Sequence, residues 1–562
     1  MLALFIVFII TLLICIGLSK VFERSGQVAW YAYIPFFNLW IWNKYVLGRP
    51  IWWFFLACIP VINIIIILSM LTDTLMAFGV HRIRYHVYIM VAPFIYLPYF
   101  GFKDTSNYLG VHSKRAPYNH SSWKSWIDAI TYAMVAAFIL RSFSVEMFQI
   151  PTSSMEKSLL VGDFLLVNKF KYGARIPMTP IGIPFFHNNM MIFGPNTNSY
   201  LDWIQLPEIR FPKFSDVNRN DIVVFNHAAG DTIMAGFTPK GIQYYKERNQ
   251  FFSIKYQNLE NKYGNNMPLN EYYKSVQYNF NFNQLNFGAM LYLEEINKWS
   301  NYIQERNGTK RKKALKKARE IVQESFEIKV RPIDKRDHYV KRCVGIAGDT
   351  LEIVNGNVII NNDSSYSPKF KQLGYFLNKR LTNVEKKELN IRESGNNLVF
   401  VTESEAENIK LNTQTKLTAN IETKESTPSH IYPNWPEFFP WNRDNYGPII
   451  IPSKGMIIEL NGKNLLLYKR CIEAYEGNTL SVKSGKIYVN NKESKTYTFR
   501  KNYYWMMGDN RHNSQDSRYW GFVPDDHIVG TPWLVLFSKD LDDWFFQIWK
   551  WRWDRVLKLA ND

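Results

Sequence analysis

The sequence is short of the residues that staple or metallate small folds. Its 562 residues hold only four cysteines, which excludes a disulfide scaffold and leaves no Cys/His cluster at metal-ligand spacing. Neither a metal nor an organic cofactor is expected. Acidic residues are few beside basic ones, 49 Asp+Glu against 67 Lys+Arg, for a formal net charge of +18. Charged residues make up only 21% against 47% hydrophobic, the wrong balance for a disordered chain. Glycine and proline, 29 and 25, are ordinary and exclude collagen-like sequence. No alternation of strand and helix patterns appears, which argues against a parallel doubly wound sheet. Apolar and aromatic sequence is abundant, and it is unevenly spread.

Long apolar runs are confined to the first 150 residues. Met1 to Leu18 is almost unbroken, without the basic start and small-residue cleavage site of a secretory leader, so it reads as a retained helix. Ile51 to Leu71 has the length of about 20 residues that crosses a bilayer. Val87 to Phe102 is a weaker span, holding Pro93 and Pro98. Trp126 to Phe148 is a fourth, with Asp128 and Arg141 near its ends. The aromatic stretch AWYAYIPFFNLWIW (Ala29 to Trp42) suits a membrane interface better than a crossing. Basic residues in the three connecting loops number four (Lys20, Arg24, Lys44, Arg49), two (Arg82, Arg84) and four (Lys103, Lys114, Arg115, Lys124). That pattern places the first and third loops inside and everything after residue 149 outside; loss of the third span would invert the topology. A multi-span membrane module at 1–125 and a transmembrane anchor at 126–149 are expected. This block also resembles a small multi-span module of unknown function, on the AWYAYIPFFN…GRPIWWFF stretch.

Beyond Gln149 the pattern becomes short β-branched runs bounded by Gly, Asn and Asp, such as DFLLVNKF, DIVVFNH and TPWLVLFS, the marks of strands and hairpins. The expected fold is therefore an N-terminal α-helical membrane region plus a mainly antiparallel β domain at 150–545, with a basic aromatic tail at 546–562. An insert at 227–335 interrupts the β pattern. It ends in KRKKALKKAR (310–319), seven of ten residues basic. A solvated helix face, attraction to anionic headgroups and a nucleic-acid patch are the competing readings. The first is preferred and no nucleic-acid partner is expected, because nothing nearby supplies base-stacking chemistry. A second insert, a β subdomain at about 363–500, contains an internal echo. YVKRCVGIAGDTLEIVNGNVIINN (339–362) is matched by LYKRCIEAYEGNTLSVKSGKIYVNN (467–491), which reads as two similar β-hairpins.

Three segments carry candidate chemistry: FQIPTSSMEKSLLVGDFLLVNKFKYG directly after the last span, HYVKRCVGIAGD, and WMMGDNRHNSQDSRYWGFVP at 505–524. In the third, Asp516 and Arg518 can pair and fix its shape. Together with RNDIVVFN (219–226), and in this order behind a membrane anchor, these segments resemble type I bacterial signal peptidases, membrane-bound Ser/Lys peptidases. The resemblance covers roughly 126–230, 336–362 and 465–545. It implies Ser154 as nucleophile, Lys341 as general base, an oxyanion hole of the Thr152 hydroxyl and the Ser154 N–H, and Ser514, Asp516 and Arg518 in support. Departures from the common pattern include Thr152 for Ser, Glu156-Lys157-Ser158 for a Pro-Thr, Asn220 for Gly, Cys343 and Ala347 for other small residues, and His512 for Asp. None removes a group the chemistry needs.

A serine hydroxyl becomes a good nucleophile only when a base takes its proton. A lysine can do so only when neutral, which from a free pKa of about 10.4 requires burial beside apolar groups. Competing bases are His512, His227 and His338, and Lys469 of the echo, whose neighbours Glu473 and Glu476 favour a charged amine. Cys343 and Cys471 occupy matching echo positions, and a disulfide between them is an open alternative. The resemblance implies an endopeptidase of the bacterial cytoplasmic membrane that removes signal peptides from exported preproteins on the outer side, with the lipid bilayer as its other partner. A catalytically silent membrane scaffold and a Ser/Lys self-cleaving regulator are the alternatives.

Overall fold

The structure is a computed structural model. It describes the chain except for Met1, 59–61, 115–121, 183–186, 188–197, 230–231, 364–367, 383, 386–396, 414, 425–430, 541–546 and 561–562; between 238 and 291 only 240, 243, 244 and 247 are described. The chain forms two compact units. The first comprises Met1–Phe186, Leu206–Val224 and Ile528–Asp562, the second His187–Gln205 and Phe225–His527.

The first unit begins with helices α1 (Leu2–Arg24), α2 (Ile51–Ala57), α3 (Ile62–Ala77), α4 (Ile83–Val91), α5 (Pro93–Lys103) and α6 (Ser122–Phe143). The aromatic stretch after α1 folds into short turns of 3-10, α and π helix, ending at Gly48 in the left-handed region. Helices α1 and α5 cross closely enough to demand glycine. A Cβ on Gly17 would lie 2.5 Å from the Pro98 nitrogen, and one on Gly101 2.9 Å from the Gly17 oxygen. Phe22, Leu75, Phe78, Leu97 and Phe100 fill the core, with Phe78 and Phe100 edge to face at 5.3 Å. Buried Asp73 is neutralised by Arg49 Nε at 2.8 Å.

No helix among the described residues is long and apolar enough to cross a membrane. The expected spans are divided for local reasons. The run from Ile51 forms two helices, α2 and α3, and the residues between them at 59–61 lie outside those described. The run from Val87 breaks at Ala92 (φ −135°, ψ 63°), where Pro93 starts α5. The fourth run stops at Phe143, and Val145–Gln149 is a strand.

The strands that frame the candidate site are, in chain order, β1 (Val145–Gln149), β2 (Asp163–Asn168), β3 (Ile222–Asn226), β4 (His338–Gly345), β5 (Tyr503–Met507), β6 (Val523–Pro524), β7 (Ile528–Ser538) and β8 (Lys558–Leu559). In the first unit β1 and β2 pair antiparallel from Val145↔Asn168 to Gln149↔Phe164. Strand β2 pairs antiparallel with β7, and β7 with β8. Alternation in DFLLVN buries Asp163, Leu165 and Val167 on one face. Phe164 stacks on Phe537 at 4.2 Å across the ladder.

In the second unit β4 and β5 pair antiparallel, with Cys343 opposite Met506 and Arg342 opposite Met507, and β5 continues to β6. The echo proves half real. Thr350–Val354 with Asn357–Ile360, and Leu480–Lys483 with Lys486–Val489, are two hairpins in the same register. Their turns, Asn355-Gly356 and Ser484-Gly485, all have positive φ, as two-residue hairpin turns require. Each ends in an Asn pair at positive φ. Asn361 Oδ1 accepts the Thr350 N–H at 2.8 Å, and Asn490 Oδ1 the Thr479 N–H at 2.9 Å. The Lys-Arg-Cys parts differ: the first lies in strand β4, the second at the end of the helix Gly462–Arg470 and its π turn. A small sheet of Leu373–Leu377 between Leu398–Val401 and Leu417–Ala419 buries its face under Ala406 and Ile409 of the helix Glu403–Thr413. The 227–335 insert contributes helices α7 (Tyr292–Asn307) and α8 (Arg311–Ser325) and an antiparallel pair of strands, Thr232–Phe237 with Phe326–Val330. Most of its Asn- and Tyr-rich part lies outside the described residues.

Candidate active site

Ser154 belongs to the first unit. Between β1 and β2 the chain makes a loop, 150–162, closed at its base by Ile150 N–H to Asp163 O and Gly162 N–H to Ile150 O, both 2.9 Å. Pro151 leads into Thr152, extended and exposed, whose side chain makes no capping bond to the turn that follows. Ser153–Met155 form one 3-10 turn, closed by Glu156 N–H to Ser153 O at 3.1 Å. Ser154 is buried on it, beside fully buried Met155.

That loop is braced from the chain terminus. Asp163, fully buried at the start of β2, accepts the Leu160 N–H at 2.8 Å and the Ser538 hydroxyl at 2.6 Å. Arg555 forks onto it, NH2 to Oδ2 at 2.6 Å and Nε to Oδ1 at 3.2 Å. Arg552 NH1 donates to Val161 O and to Ser538 Oγ, each at 3.0 Å. Two guanidiniums thus hold a carboxylate and the exit of the Ser154 loop. The sequence alone does not announce this bracing of the loop by the tail 546–562; its one local hint is an aspartate opening an apolar strand.

Lys341 belongs to the second unit. Strand β4 carries Lys341, 5% exposed. Its Nζ donates to Val340 O at 3.1 Å and lies 5.5 Å from the centre of the Tyr339 ring. Burial pushes its pKa from 10.5 down to about 8, against the opposing pull of Asp516 and Asp509. Next to it Arg342 forks onto buried Asp509, Nε to Oδ1 at 2.8 Å and NH2 to Oδ2 at 2.6 Å, tying β4 to the segment after β5.

That segment winds around the expected Asp516–Arg518 pair, which is present and buried, with Nε–Oδ1 and NH2–Oδ2 both 2.8 Å. Gly508 N–H donates to Asp516 at 3.1 Å, Arg518 NH2 to Arg511 O at 2.6 Å, and Met506 N–H to Ser517 Oγ at 2.9 Å. Burial alone would raise Asp516; the Arg518 charge and these hydrogen bonds outweigh it and hold the carboxyl below its usual range. Ser514 is buried between these groups. Its hydroxyl helps keep Asp516 ionised, yet completes no hydrogen bond of ordinary geometry among the described residues.

The competing bases separate clearly. Lys469 is half-exposed and lies 3.7 Å from Glu473. His512 is bonded at both ring nitrogens, Nε2 to Asp444 Oδ1 at 2.9 Å and Nδ1 accepting the Gly374 N–H at 3.0 Å. Burial keeps it below its free pKa despite Asp444. His227 stacks flat on Tyr339 at 4.3 Å, and burial, then the cations Arg470, Arg336 and Lys341, depress it to about 3. His338 lies instead against His187, ring centres 4.3 Å apart and tilted by 44°. Cys343 and Cys471 are both free thiols, so the disulfide alternative is not realised. Among the described residues no group of three His, Cys, Asp or Glu side chains is placed to hold a metal.

Comparison with known proteins follows the same segments. Signal peptidase I of Pseudomonas aeruginosa is 40% identical over 104 residues, 16% of this chain and 36% of the relative. Signal peptidase I of Buchnera aphidicola subsp. Baizongia pistaciae is 38% identical over 100 residues, 18% and 23%, and that of Pseudomonas fluorescens 45% over 78 residues, 12% and 27%. The matches thus span about a third or less of each of these curated relatives. A family of unknown function, DUF5684, matches residues 30–111. The family described as signal peptidase, peptidase S26, matches 123–248, 302–425 and 494–537, just over half of the chain. The first of these segments contains Thr152 and Ser154, the second Lys341, the third Ser514, Asp516 and Arg518. On that match the chain belongs to the signal peptidase family, peptidase S26.

Proposed function

We propose that the protein is a membrane-bound serine endopeptidase that removes signal peptides from exported preproteins through Ser154 and Lys341. The observation that carries this reading is the burial of Lys341, which brings its amine to about 8, so that a useful fraction is neutral at working pH. Neutral Lys341 takes the proton from Ser154 Oγ as that oxygen attacks the scissile carbonyl. The resulting oxyanion is held by the Ser154 N–H and the Thr152 hydroxyl, an interaction usually worth about 3 kcal/mol. Collapse breaks the C–N bond, and the Lys341 ammonium returns its proton to the departing amine. Water, deprotonated by Lys341 in turn, then releases the acyl group from Ser154. Ser514, between Asp516 and the lysine strand in this scheme, orients the amine.

The membrane part of the reading rests on the N-terminal helices. Phe8, Trp52, Phe55, Ile95, Tyr99 and Phe102 are all more than half exposed, an apolar surface that lipid would cover. Multi-pass topology with the β domain outside is the orientation the loop charges support. The test is cleavage of a synthetic preprotein in detergent by the wild type and by Ser154→Ala. The variant should fold and leave the substrate intact; cleavage near the wild-type rate would overturn the mechanism.

A further inference from the structure

The insert helix α8 breaks the electrostatic rules of helices, and no ion pair among the described residues compensates its first three turns. A helix N-terminus favours acids in its first turn, and α8 has none. Its cap is Lys310, which offers no side-chain capping bond. Lys313, Lys316, Lys317 and Arg319 follow, all exposed. Lys313 faces Lys316 and Lys317 at spacings of three and four, where like charges repel. Among the described residues none of these four cations is in an ion pair. Glu324, further along, is taken by Lys240 at 3.7 Å and by the Tyr244 hydroxyl at 3.2 Å; Glu320 is the single acid among the first three turns.

The apolar side of α8 is already satisfied. Ala314, Ala318 and Val322 are fully buried, and α7 places Trp299, Tyr302 and Ile303 in the same helical hairpin core. The helix therefore has no apolar stripe left to insert anywhere. What remains is a cationic face on a well-anchored helix, a local conflict of the kind that marks a functional surface.

We infer that this face docks on anionic phospholipid headgroups. The inference rests on the membrane part of the function proposed above. Phosphate groups at a bilayer surface supply the missing counter-charge, each cation near such a surface adding roughly fivefold in binding. A nucleic acid would supply phosphate too, but the exposed face carries no aromatic side chain on which a base could stack.

The experiment compares amide hydrogen exchange of α8 in the full-length protein held in nanodiscs of phosphatidylcholine alone and of phosphatidylcholine with one-third phosphatidylglycerol. Docking should slow exchange across Lys313 to Arg319 about tenfold in the anionic discs, and high salt should erase the difference. The combined variant Lys313→Gln, Lys316→Gln, Lys317→Gln and Arg319→Gln keeps good helix formers and should exchange equally in both discs, with preprotein cleavage in detergent unchanged. Equal exchange of the wild type in both discs, or a difference that survives the four substitutions, overturns the inference. So does stronger protection by a single-stranded oligonucleotide than by phosphatidylglycerol, which would make α8 a nucleic-acid surface. Failure of the chain to incorporate into phosphatidylcholine discs would instead remove the membrane reading, and binding of anionic vesicles by the wild type and the four-Gln variant would then decide on α8.

Discussion

Arg555 reaches back across 392 residues to place its NH2 2.6 Å from the Oδ2 of Asp163. The carboxylate is fully buried and opens the strand that follows the Ser154 loop. Removing Arg555 leaves this buried charge with only the more distant Arg552, NH1 at 4.0 Å, to compensate it. Arg555→Ala should therefore destabilise the protein by about 3 kcal/mol, and it should lower kcat more than it raises KM, since the loop rather than substrate binding is loosened. Thermal unfolding and steady-state kinetics check both. Arg555→Lys keeps the charge and should recover much of the loss in Tm.

The Asp516–Arg518 pair makes a second stability prediction. Asp516→Asn leaves Arg518 buried with half its bonds and should cost about 3 kcal/mol. The wild-type contribution has a definite pH window. The folded carboxyl lies below its ordinary 3.8, so the pair contributes in full above about pH 4 and is lost only as pH falls through the lower folded value. Acid unfolding of the variant should be shallower than that of the wild type.

His512 is structural in this account. His512→Ala removes one partner of buried Asp444, which keeps Arg443 Nε at 3.4 Å and the Glu422 N–H at 3.0 Å, and takes the acceptor from the Gly374 N–H, at a cost of about 2 kcal/mol, with cleavage reduced modestly at most. A loss of several orders of magnitude in activity, with unchanged Tm, would make it a participant in the chemistry.

How much could be read beforehand depended on the range over which each feature is decided. The hairpins Thr350–Val354/Asn357–Ile360 and Leu480–Lys483/Lys486–Val489 were legible because Asn-Gly and Ser-Gly turns and the Asn-Asn ends are local chemistry. Lys469 was assigned to a matching hairpin, yet lies on a helix: Leu465 to Tyr468 satisfy either period, and the Asn461 side chain, accepting the Asn464 N–H, caps the helix. Asp516 and Arg518 stand two residues apart, so their pairing was visible. The Arg342–Asp509 fork and the Arg555–Asp163 bond join segments distant in sequence, and nothing local announces them. The apolar run from Val87 reads as continuous in hydropathy, whereas Pro93 marks where its helices divide.

Lys341 couples stability to pH in the same sense as Asp516 but in a far more alkaline window. Its amine titrates near 8 in the folded state against 10.5 when free. Between those values the unfolded chain binds the extra proton, so stability rises with pH through that window, by about 3 kcal/mol in total. At neutral pH Lys341→Met removes a disfavoured buried charge and should be at least as stable as the wild type, as a Tm measurement would show.

The most direct measurement is kcat/KM for preprotein cleavage as a function of pH, for the wild type, Lys341→Met and Lys469→Met. The wild type should gain activity with a single proton lost near pH 8. Lys469→Met should reproduce that curve, because an exposed amine paired with Glu473 contributes little. Lys341→Met should be slower by about three orders of magnitude or more at every pH, since activation of Ser154 is gone. A wild-type limb near 6.5, or a Lys341→Met variant that cleaves like the wild type, would contradict the Ser154–Lys341 mechanism.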